Sequence, residues 1–397
     1  MQQNRASRPG GRTGRGASPY DNRIAAAQRR RRLIRNVILL VTLAAIAAAV
    51  VLLLVNPGKS SNEVGATRLT CYADQDVTPF GDNLLYYDGA SIHCLADSGA
   101  IRWSFSVGSN ASFHCSDNCL VIWQGNQLYI VDSSGRSTYN EALSEEIQFA
   151  RAGTSYVAIV TGSDTNPDLV IRDLQGTQVD EEAEAYDGLL LLDVGFYGDS
   201  GEYMWTMAMD VYSTALNTVM NTFQVGKMNT GEASLGEKLV YKVLYENSKL
   251  RVFTTQQLYT YDYKLVQDTN STILVYGWEY LDSYLPSHGD ATLLLSSTTN
   301  QTGSSRSVSE LRLLSGTNTD RRYTLPKECV GAMVNNRSIY AFASDTMYRV
   351  DISSQVSYAY ASPLPEGESI DGFLGKTNSG KAILTSGDSV FIVTLPD

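Results

Sequence analysis

A short apolar strand that ends in aspartate recurs through most of this chain and constrains its fold more than any other feature. The clear copies are Ile92–Asp97, Leu128–Asp132, Leu169–Asp173, Leu258–Asp262 and Met347–Asp351. Weaker copies occur at Thr222–Gly226, Leu311–Leu314 and Val390–Thr394. The eight units recur about every 42 residues, which is the period of a four-stranded propeller blade. The repeat therefore predicts an all-β protein, an eight-bladed β-propeller, with seven blades as the alternative.

The two ends of the repeat region predict how the ring closes. The last repeat strand, Val390–Thr394, is followed by only three residues, so its blade lacks an outer strand. An unassigned strand, Ala66–Tyr72, precedes the first blade. If this strand completes the last blade, no long edge stays unpaired. We therefore expect a propeller over residues 66–397 in which the first and last strands pair.

The amino-terminal segment has a different composition. Val37–Val55 contains no charged residue, and a helix of roughly 20 apolar residues is long enough to cross ~30 Å of hydrocarbon. Residues 33–55 are therefore predicted to form one transmembrane helix that contacts the lipid bilayer. The arginine-, glycine- and serine-rich residues 1–32 predict a disordered tail. Residues 56–65 predict a short polar linker.

Charge predicts the orientation of this segment. Residues 1–35 contain ten arginines and one acid, Asp21, which gives a charge of +9. The whole chain carries −11, so the remainder carries −11 − 9 = −20. Because arginines beside a span stay in the cytoplasm, we expect a plasma-membrane protein with a cytoplasmic amino terminus and an extracellular propeller. A cleaved signal peptide is the alternative.

Three short motifs resemble catalytic or ligand-binding loops, and each departs from its pattern. Gly375–Ala382 is one residue from a phosphate-binding loop, but Ala382 stands where a hydroxyl is needed to hold Mg²⁺. Gly198–Gly201 is similar to the nucleophile loop of trypsin-like proteases, but Glu202 follows where those enzymes have glycine. Asp164, Asn166 and Asp168 have the spacing of the first ligands of a calcium-binding loop. All three motifs are interpreted as turns or loops. We expect no catalytic residue, no cofactor and no metal, and binding is favoured over enzymatic activity.

The cysteines offer two further hypotheses. His93, Cys94, His114, Cys115 and Cys119 are nitrogen and sulfur ligands of the kind that bind zinc. Exported domains more often use cysteines in disulfides. Cys115 and Cys119 flank a three-residue turn, so we predict that they pair, and the alternative pair is Cys94 with Cys115.

One blade and the overall layout resemble known families. Ser91–Asp97 with the strand that follows it, Gly99–Ser104, resembles a blade of the PQQ-like and WD40-like propellers. The basic tail, span and propeller together resemble an uncharacterised family of membrane-anchored envelope proteins of Gram-positive bacteria. The matching stretches are Asn83–Gly89, Leu192–Phe196, Leu274–Trp278 and Leu311–Gly316. The resemblance implies a location in the cell envelope and a propeller fold, and it implies no activity or cofactor.

Long loops on one face predict where a partner binds. The connections between second and third strands are longest in blades four and six, where we expect loops at Val211–Asn221 and Thr298–Ser307. These loops emerge on the face opposite the linker, and extended loops on a rigid scaffold often carry binding sites. The predicted contact residues for an envelope protein or cell-wall partner are Tyr212, Leu216, Thr298, Thr299 and Asn300. No nucleic acid is expected, and the alternatives to a scaffold are a propeller-type hydrolase or quinoprotein and a ligand sensor.

Overall fold

The computed structural model describes residues 64–182, 185–286, 289–297, 301–302, 305–316 and 319–396, with only the backbone of 301–302 and 305–306. The predicted tail at 1–32, the span at 33–55 and most of the linker lie outside these residues. Within the described ranges, no helix is long and apolar enough to cross a membrane.

The described residues form eight four-stranded antiparallel sheets, numbered here as blades one to eight in chain order. Strand β1 (Gly65–Tyr72) comes first. Blade one comprises β2 (Thr78–Phe80), β3 (Asn83–Tyr87), β4 (Ser91–Leu95) and β5 (Ile101–Ser106). Blade two comprises β6 (Ser112–Cys115), β7 (Cys119–Gln124), β8 (Gln127–Asp132) and β9 (Ser137–Ala142). Blade three comprises β10 (Phe149–Ala152), β11 (Tyr156–Ser163), β12 (Asn166–Asp173) and β13 (Gln178–Glu182). Blade four comprises β14 (Leu190–Tyr197), β15 (Tyr203–Asp210), β16 (Asn217–Gln224) and β17 (Met228–Gly236).

The second half of the chain repeats this plan with two additions. Blade five comprises β18 (Val240–Glu246), β19 (Lys249–Thr254), β20 (Gln257–Tyr261) and β21 (Ile273–Leu274), with a 3₁₀ turn at Thr269–Ser271 before β21. Blade six comprises β22 (Trp278–Tyr284), β23 (Thr292–Ser297), β26 (Val308–Ser315) and β27 (Thr319–Cys329), and the hairpin of β24 (Gln301–Thr302) and β25 (Ser305–Arg306) lies between its second and third strands. Blade seven comprises β28 (Gly331–Asn335), β29 (Ser338–Phe342), β30 (Thr346–Asp351) and β31 (Ser357–Ala361). Blade eight comprises β32 (Gly372–Lys376), β33 (Ala382–Ser386) and β34 (Ser389–Thr394), and β1 is its fourth strand.

The ring closes as the sequence predicted. β1 pairs antiparallel with β34, with Ala66 opposite Val393 and Arg68 opposite Phe391. Leu69 of β1 is buried in a cluster that contains residues of blades eight and one. The first strands of these two blades, β32 and β2, also contact each other. The eight-bladed prediction is therefore confirmed, and the seven-bladed alternative is wrong.

The repeated aspartate closes the turn between the third and fourth strands. Asp173 Oδ1 accepts hydrogen bonds from the backbone N–H groups of Gln175 and Thr177, at 2.9 and 2.8 Å. Asp132 and Asp262 accept from the residues two and four positions later in the same way. Aspartate favours such turns because its short carboxylate reaches nearby backbone donors. This local chemistry explains why aspartate ends the five clear repeat copies.

The core lies between neighbouring blades rather than inside any one of them. In β7, Leu120 and Ile122 pack in a cluster with blade one, whereas Val121 packs in a cluster with blade three. Successive residues of a strand point to opposite faces, so a strand buried on both faces is apolar throughout. The second and third strands are therefore almost continuously apolar, because a blade packs against each of their two faces.

Two predicted loops differ from the structure. β16 begins at Asn217, so the connection in blade four is 211–216 rather than Val211–Asn221. Alternate residues of β16, such as Thr218 and Met220, are buried, and eight residues of β16 pair with β15. The polar residues between them made this strand look like a loop in the sequence. In blade six, the predicted loop Thr298–Ser307 contains the β24–β25 hairpin.

Candidate functional site

Strand direction assigns every loop to one of two faces of the ring. Because neighbouring strands run antiparallel, turns between second and third strands emerge on the same face as the connections between blades. We call this the distal face, and the opposite one the proximal face. As a fourth strand, β1 begins on the proximal face at Gly65.

The distal face of blade four exposes two of the predicted partner-binding residues. Tyr212 and Leu216, in the β15–β16 loop, are 62% and 50% exposed. The loop is ordered by Asp210, whose Oδ1 accepts from the backbone N–H groups of Tyr212 and Ser213 at 3.1 and 3.0 Å. Ser213 Oγ in turn donates to Ala215 O at 2.7 Å. The two apolar side chains are therefore presented to solvent by a loop that has its own hydrogen bonds.

Exposed apolar residues continue onto the two following blades. Leu239, between blades four and five, and Tyr276, between blades five and six, are 55% and 74% exposed. Leu274 and Tyr241 lie at the distal ends of β21 and β18 and are also exposed. We define the distal patch as Tyr212, Leu216, Leu239, Tyr241, Leu274 and Tyr276. Clustered exposed apolar side chains on a soluble domain mark interaction surfaces more often than single ones do.

Tyr241 links the distal patch to the packing of blade six. Its hydroxyl accepts a hydrogen bond from the backbone N–H of Tyr280 at 3.1 Å. Its ring packs against Phe253, with ring centroids 6.1 Å apart. Blade five is thus attached to blade six beside the patch, which gives the patch a rigid base.

The remaining predicted contact residues, Thr298, Thr299 and Asn300, lie outside the described residues. The connection that contains them joins β23 to β26 and therefore belongs to the distal face. The prediction for these three residues stays a prediction. Sequence reasoning missed Leu239, Tyr241, Leu274 and Tyr276, because connections between blades are short and only the fold places them beside the longer loops.

Ion pairs connect the first strands of different blades. Arg151 Nε donates to Asp193 Oδ1 at 2.8 Å, which ties β10 to β14. Lys376 Nζ donates to Asp282 Oδ2 and to the Val334 carbonyl at 2.6 and 2.7 Å, which ties blades six, seven and eight together. Lys376 belongs to the motif that resembles a phosphate-binding loop. Its ammonium instead bridges three blades of the ring.

Asp282 is held in an environment that disfavours its charge. Burial raises the pKa of its carboxyl, and the ammonium of Lys376 opposes that effect. The 2.6 Å bond to Lys376 and the 2.8 Å bond from Val334 N supply hydrogen bonds to the carboxylate. A buried charge with both a counter-ion and a backbone donor is stable as an ion pair. We therefore assign this pair a structural role in the ring.

His114 is a partly buried histidine that joins blades two and three. Its Nδ1 accepts a hydrogen bond from the backbone N–H of Ala152 at 3.1 Å. Burial first, and the positive charges of Arg151 and Lys242 second, lower the pKa of His114 to about 4. The imidazole is therefore neutral at physiological pH, with the proton on Nε2.

His93 lies in an array that the sequence did not suggest. Its Nε2 is 2.9 Å from Asp88 Oδ2, and its Nδ1 is 2.7 Å from Ser104 Oγ. The hydrogen bond from His93 and those from the Ser91 and Ala90 backbone lower the pKa of Asp88 to about 2. These are the residue types of a hydrolytic triad, but Asp88 closes the β3–β4 turn and His93 pairs directly with Ser104 across β4 and β5. The array ties the turn to the outer strand of the blade.

The predicted disulfide between Cys115 and Cys119 is not formed, because the two cysteines lie on opposite faces of blade two. Cys115 pairs with Leu120 and packs with it toward blade one, whereas Cys119 packs toward blade three. Both are free thiols, and so is the alternative partner Cys94, which belongs to the same cluster as Cys115. Residues that pair across two strands point to the same face, and the next residue along a strand points to the other. Because Leu120, not Cys119, pairs with Cys115, closeness in sequence did not bring the two thiols together.

The other singled-out motifs occupy turns and strands. Ser200 lies in the β14–β15 turn, where its carbonyl accepts from Ser155 Oγ at 2.6 Å and its N–H donates to Glu202. Asn166 and Asp168 are part of β12. Within the described part of the chain, no group of three or more His, Cys, Asp or Glu side chains is arranged to hold a metal ion.

No family model and no curated protein sequence matches the chain significantly. Among solved structures, the WD40 domain of SCAP from fission yeast is similar, with a TM-score of 0.56 and 6% identity over 85% of this chain and 99% of that one. BamB from Moraxella catarrhalis has a TM-score of 0.52 and 12% identity, covering 84% and 97% of the two chains. Sqt1 from Saccharomyces cerevisiae has a TM-score of 0.52 and 9% identity, covering 84% and 100%. These likenesses show the fold alone, which is a WD40-like or PQQ-like β-propeller.

Proposed function

We propose that this chain is a single-pass protein of the plasma membrane whose propeller binds a protein of the cell envelope through the distal patch. The observation that carries the proposal is the run of exposed apolar side chains over blades four to six, from Tyr212 to Tyr276. Interfaces are enriched in tyrosine and depleted of charged residues at their core, and three of the six residues of the patch are tyrosines and none is charged. The proposed role is that of a scaffold or interaction module.

The anchor and its orientation are part of the same proposal. The apolar run at 33–55 and the +9 charge of residues 1–35 support a span with a cytoplasmic amino terminus. A tether entering β1 at Gly65 would hold the proximal face toward the bilayer, because the propeller begins there. The distal patch would then face away from the membrane, where an envelope partner can reach it.

Site-specific photo-crosslinking in intact cells tests the partner surface. A benzophenone amino acid replaces Tyr212 or Tyr276 in the full-length protein, and the same residue at Met228 is the control. Met228 is 63% exposed but begins β17 on the proximal face. We expect Tyr212 and Tyr276 to give one shared protein adduct that Met228 does not give. The same adducts from all three positions, or no shared adduct from the first two, would contradict the proposed surface.

Protease accessibility tests the topology separately. In spheroplasts, external protease should degrade the propeller and leave a protected fragment that contains residues 1–55. Detergent lysis should remove that protection. A protected propeller with a digested amino terminus would reverse the orientation, and complete digestion without detergent would remove the membrane anchor from the proposal.

A further inference from the structure

A small polar cavity lies between blades five and six on the proximal face. Its volume is about 160 Å³. Blade five contributes Glu246, Lys249, Arg251 and Asn270, and blade six contributes Asp290. Pockets for drug-sized ligands measure roughly 300–1,000 Å³, so this cavity suits a much smaller molecule.

The wall of the cavity contains a buried ion pair with unmet hydrogen bonds. Arg251 Nε lies 3.4 Å from Glu246 Oε2, and the two side chains are only 9% and 10% exposed. Neither of these two atoms makes a hydrogen bond within the described residues. Arg251 Nη1 is held by Thr260 Oγ1 at 2.6 Å. Buried charged groups in native proteins nearly always satisfy their hydrogen bonds, so these two atoms have hydrogen-bonding capacity that a ligand could use.

Two positive and two negative side chains line the cavity. Blade five contributes Lys249, Arg251 and Glu246, the last of which pairs with Arg251, and blade six contributes Asp290. Lys249 is half exposed, and its only ion pair in the described chain is a long one of 4.0 Å with Asp268. Asp290 is exposed and makes no hydrogen bond with another described residue. Lys249 and Asp290 therefore offer one positive and one negative group to a ligand.

The position of Asp290 is fixed relative to blade five. Asn247 Nδ2 donates to the carbonyl of Gly289, the residue before Asp290, at 2.6 Å. Gly316, with φ of +57°, leaves room for the carboxylate, because a Cβ there would come within 2.5 Å of Asp290 Oδ2. Asp290 is thus held close to blade five.

We propose that this cavity binds a free α-amino acid. Arg251 and Lys249 hold the carboxylate, and Asp290 holds the ammonium with Glu246 nearby. A simple anion would face two carboxylates, and a simple amine would face two cations, so the site selects a molecule that carries both charges. The cavity lies on the face opposite the distal patch, so this inference does not depend on the proposed partner surface. It would give the propeller a role in ligand sensing in addition to scaffolding.

Calorimetry on the full-length protein in detergent micelles tests this proposal. The probe is first a mixture of the twenty L-α-amino acids and then each one alone. We expect saturable heat from at least one amino acid and a rise in melting temperature at saturation. The N-acetyl and carboxamide derivatives of that amino acid each lack one charge and should bind at least tenfold more weakly. Absence of binding by all twenty, or equal binding by both derivatives, would overturn the proposal.

A pair of matched variants locates the site. Asp290→Asn removes the charge of an exposed side chain, so it should leave folding unchanged and weaken binding at least tenfold. Glu232→Gln removes an exposed charge from β17, which does not line the cavity, and should leave affinity unchanged. If Asp290→Asn binds as tightly as Glu232→Gln, the amino acid binds elsewhere and the assignment of this cavity is wrong.

Discussion

At the scale of single residues, the fold depends on a few side chains that satisfy backbone groups. The aspartate that ends each clear repeat was visible in the sequence as a pattern. Its reason appears only in the structure, where the carboxylate of Asp173 accepts from two backbone N–H groups of one turn. The Asp88–His93–Ser104 array could not be predicted from the sequence, because the spacing of these residues does not show that His93 on β4 pairs with Ser104 on β5.

Removing one turn aspartate should destabilise the propeller measurably. Asp173→Ala leaves the N–H groups of Gln175 and Thr177 without their acceptor, so we expect the free energy of unfolding to fall by about 1–2 kcal/mol. Urea unfolding followed by tryptophan fluorescence measures this change. Asp164→Ala, in the exposed turn between β11 and β12 of the same blade, is the control and should change stability by less than about 0.5 kcal/mol. Equal effects of the two substitutions would show that the turn bonds contribute nothing.

His114 should make stability depend on pH in a defined window. Its pKa is about 4 in the folded protein, because of burial first and the charges of Arg151 and Lys242 second, against an ordinary value of 6.5. Between these values the unfolded chain binds a proton that the folded chain does not. Stability is therefore fully present above pH 6.5 and falls by up to about 3 kcal/mol as the pH drops toward 4.

The variant His114→Asn separates this effect from other titrations. Asparagine keeps an acceptor for the N–H of Ala152 but does not titrate. Urea unfolding at pH 4.5, 5.5, 6.5 and 7.5 should show a flatter dependence for the variant than for the wild type. Parallel curves for the two proteins would mean that His114 is not the group responsible.

At the scale of strands and loops, the sequence predicted well where the strands lie in the chain. It predicted poorly which side of a blade a given side chain faces. All eight repeat copies overlap the third strands of the blades, because apolar β-branched runs between turn residues are a strong signal. The predicted Cys115–Cys119 disulfide was wrong because of the strand register. Cys115 lies opposite Leu120, so Cys119, one residue away, points to the other face of the blade. The loop at Val211–Asn221 was predicted too long, because the polar residues that alternate with buried ones in β16 resemble those of a loop.

The cysteines should behave as buried thiols rather than as disulfides. Burial raises the pKa of Cys71 and Cys94 to about 11, and of Cys115 and Cys329 to about 12. The reactive thiolate is therefore scarce in the folded protein at pH 8. We expect slow reaction with Ellman's reagent in native buffer and five thiols per chain in guanidinium, with an added exposed cysteine, Ser134→Cys, as the fast-reacting control. A count of three in guanidinium would demonstrate a disulfide.

At the scale of the whole molecule, the propeller was predictable and its binding surfaces were not. The period of the repeat determined the blade number, and the unassigned strand at the start of the repeat region predicted the closure. The distal patch and the cavity between blades five and six both combine residues far apart in sequence. The order and direction of the strands are needed to place Tyr212 and Tyr276 on one face, and to bring Arg251 and Asp290 to one cavity.

The ring should depend on the pairing of β1 with β34 at its closure. Leu69 of β1 is 5% exposed and packs among residues of blades eight and one, including Leu84 and Ile392. Leu69→Ala leaves a cavity at this seam and should lower the free energy of unfolding by about 2–5 kcal/mol. Thr67→Ala, an exposed position on the same strand, is the control and should change stability little. Leu69→Ala should also speed hydrogen exchange in β34 more than in blade four. β1 is the only partner of β34 on its outer side, whereas blade four lies far from this closure. If Leu69→Ala and Thr67→Ala have equal effects on stability and on exchange in β34, the pairing of β1 with β34 does not hold the ring closed.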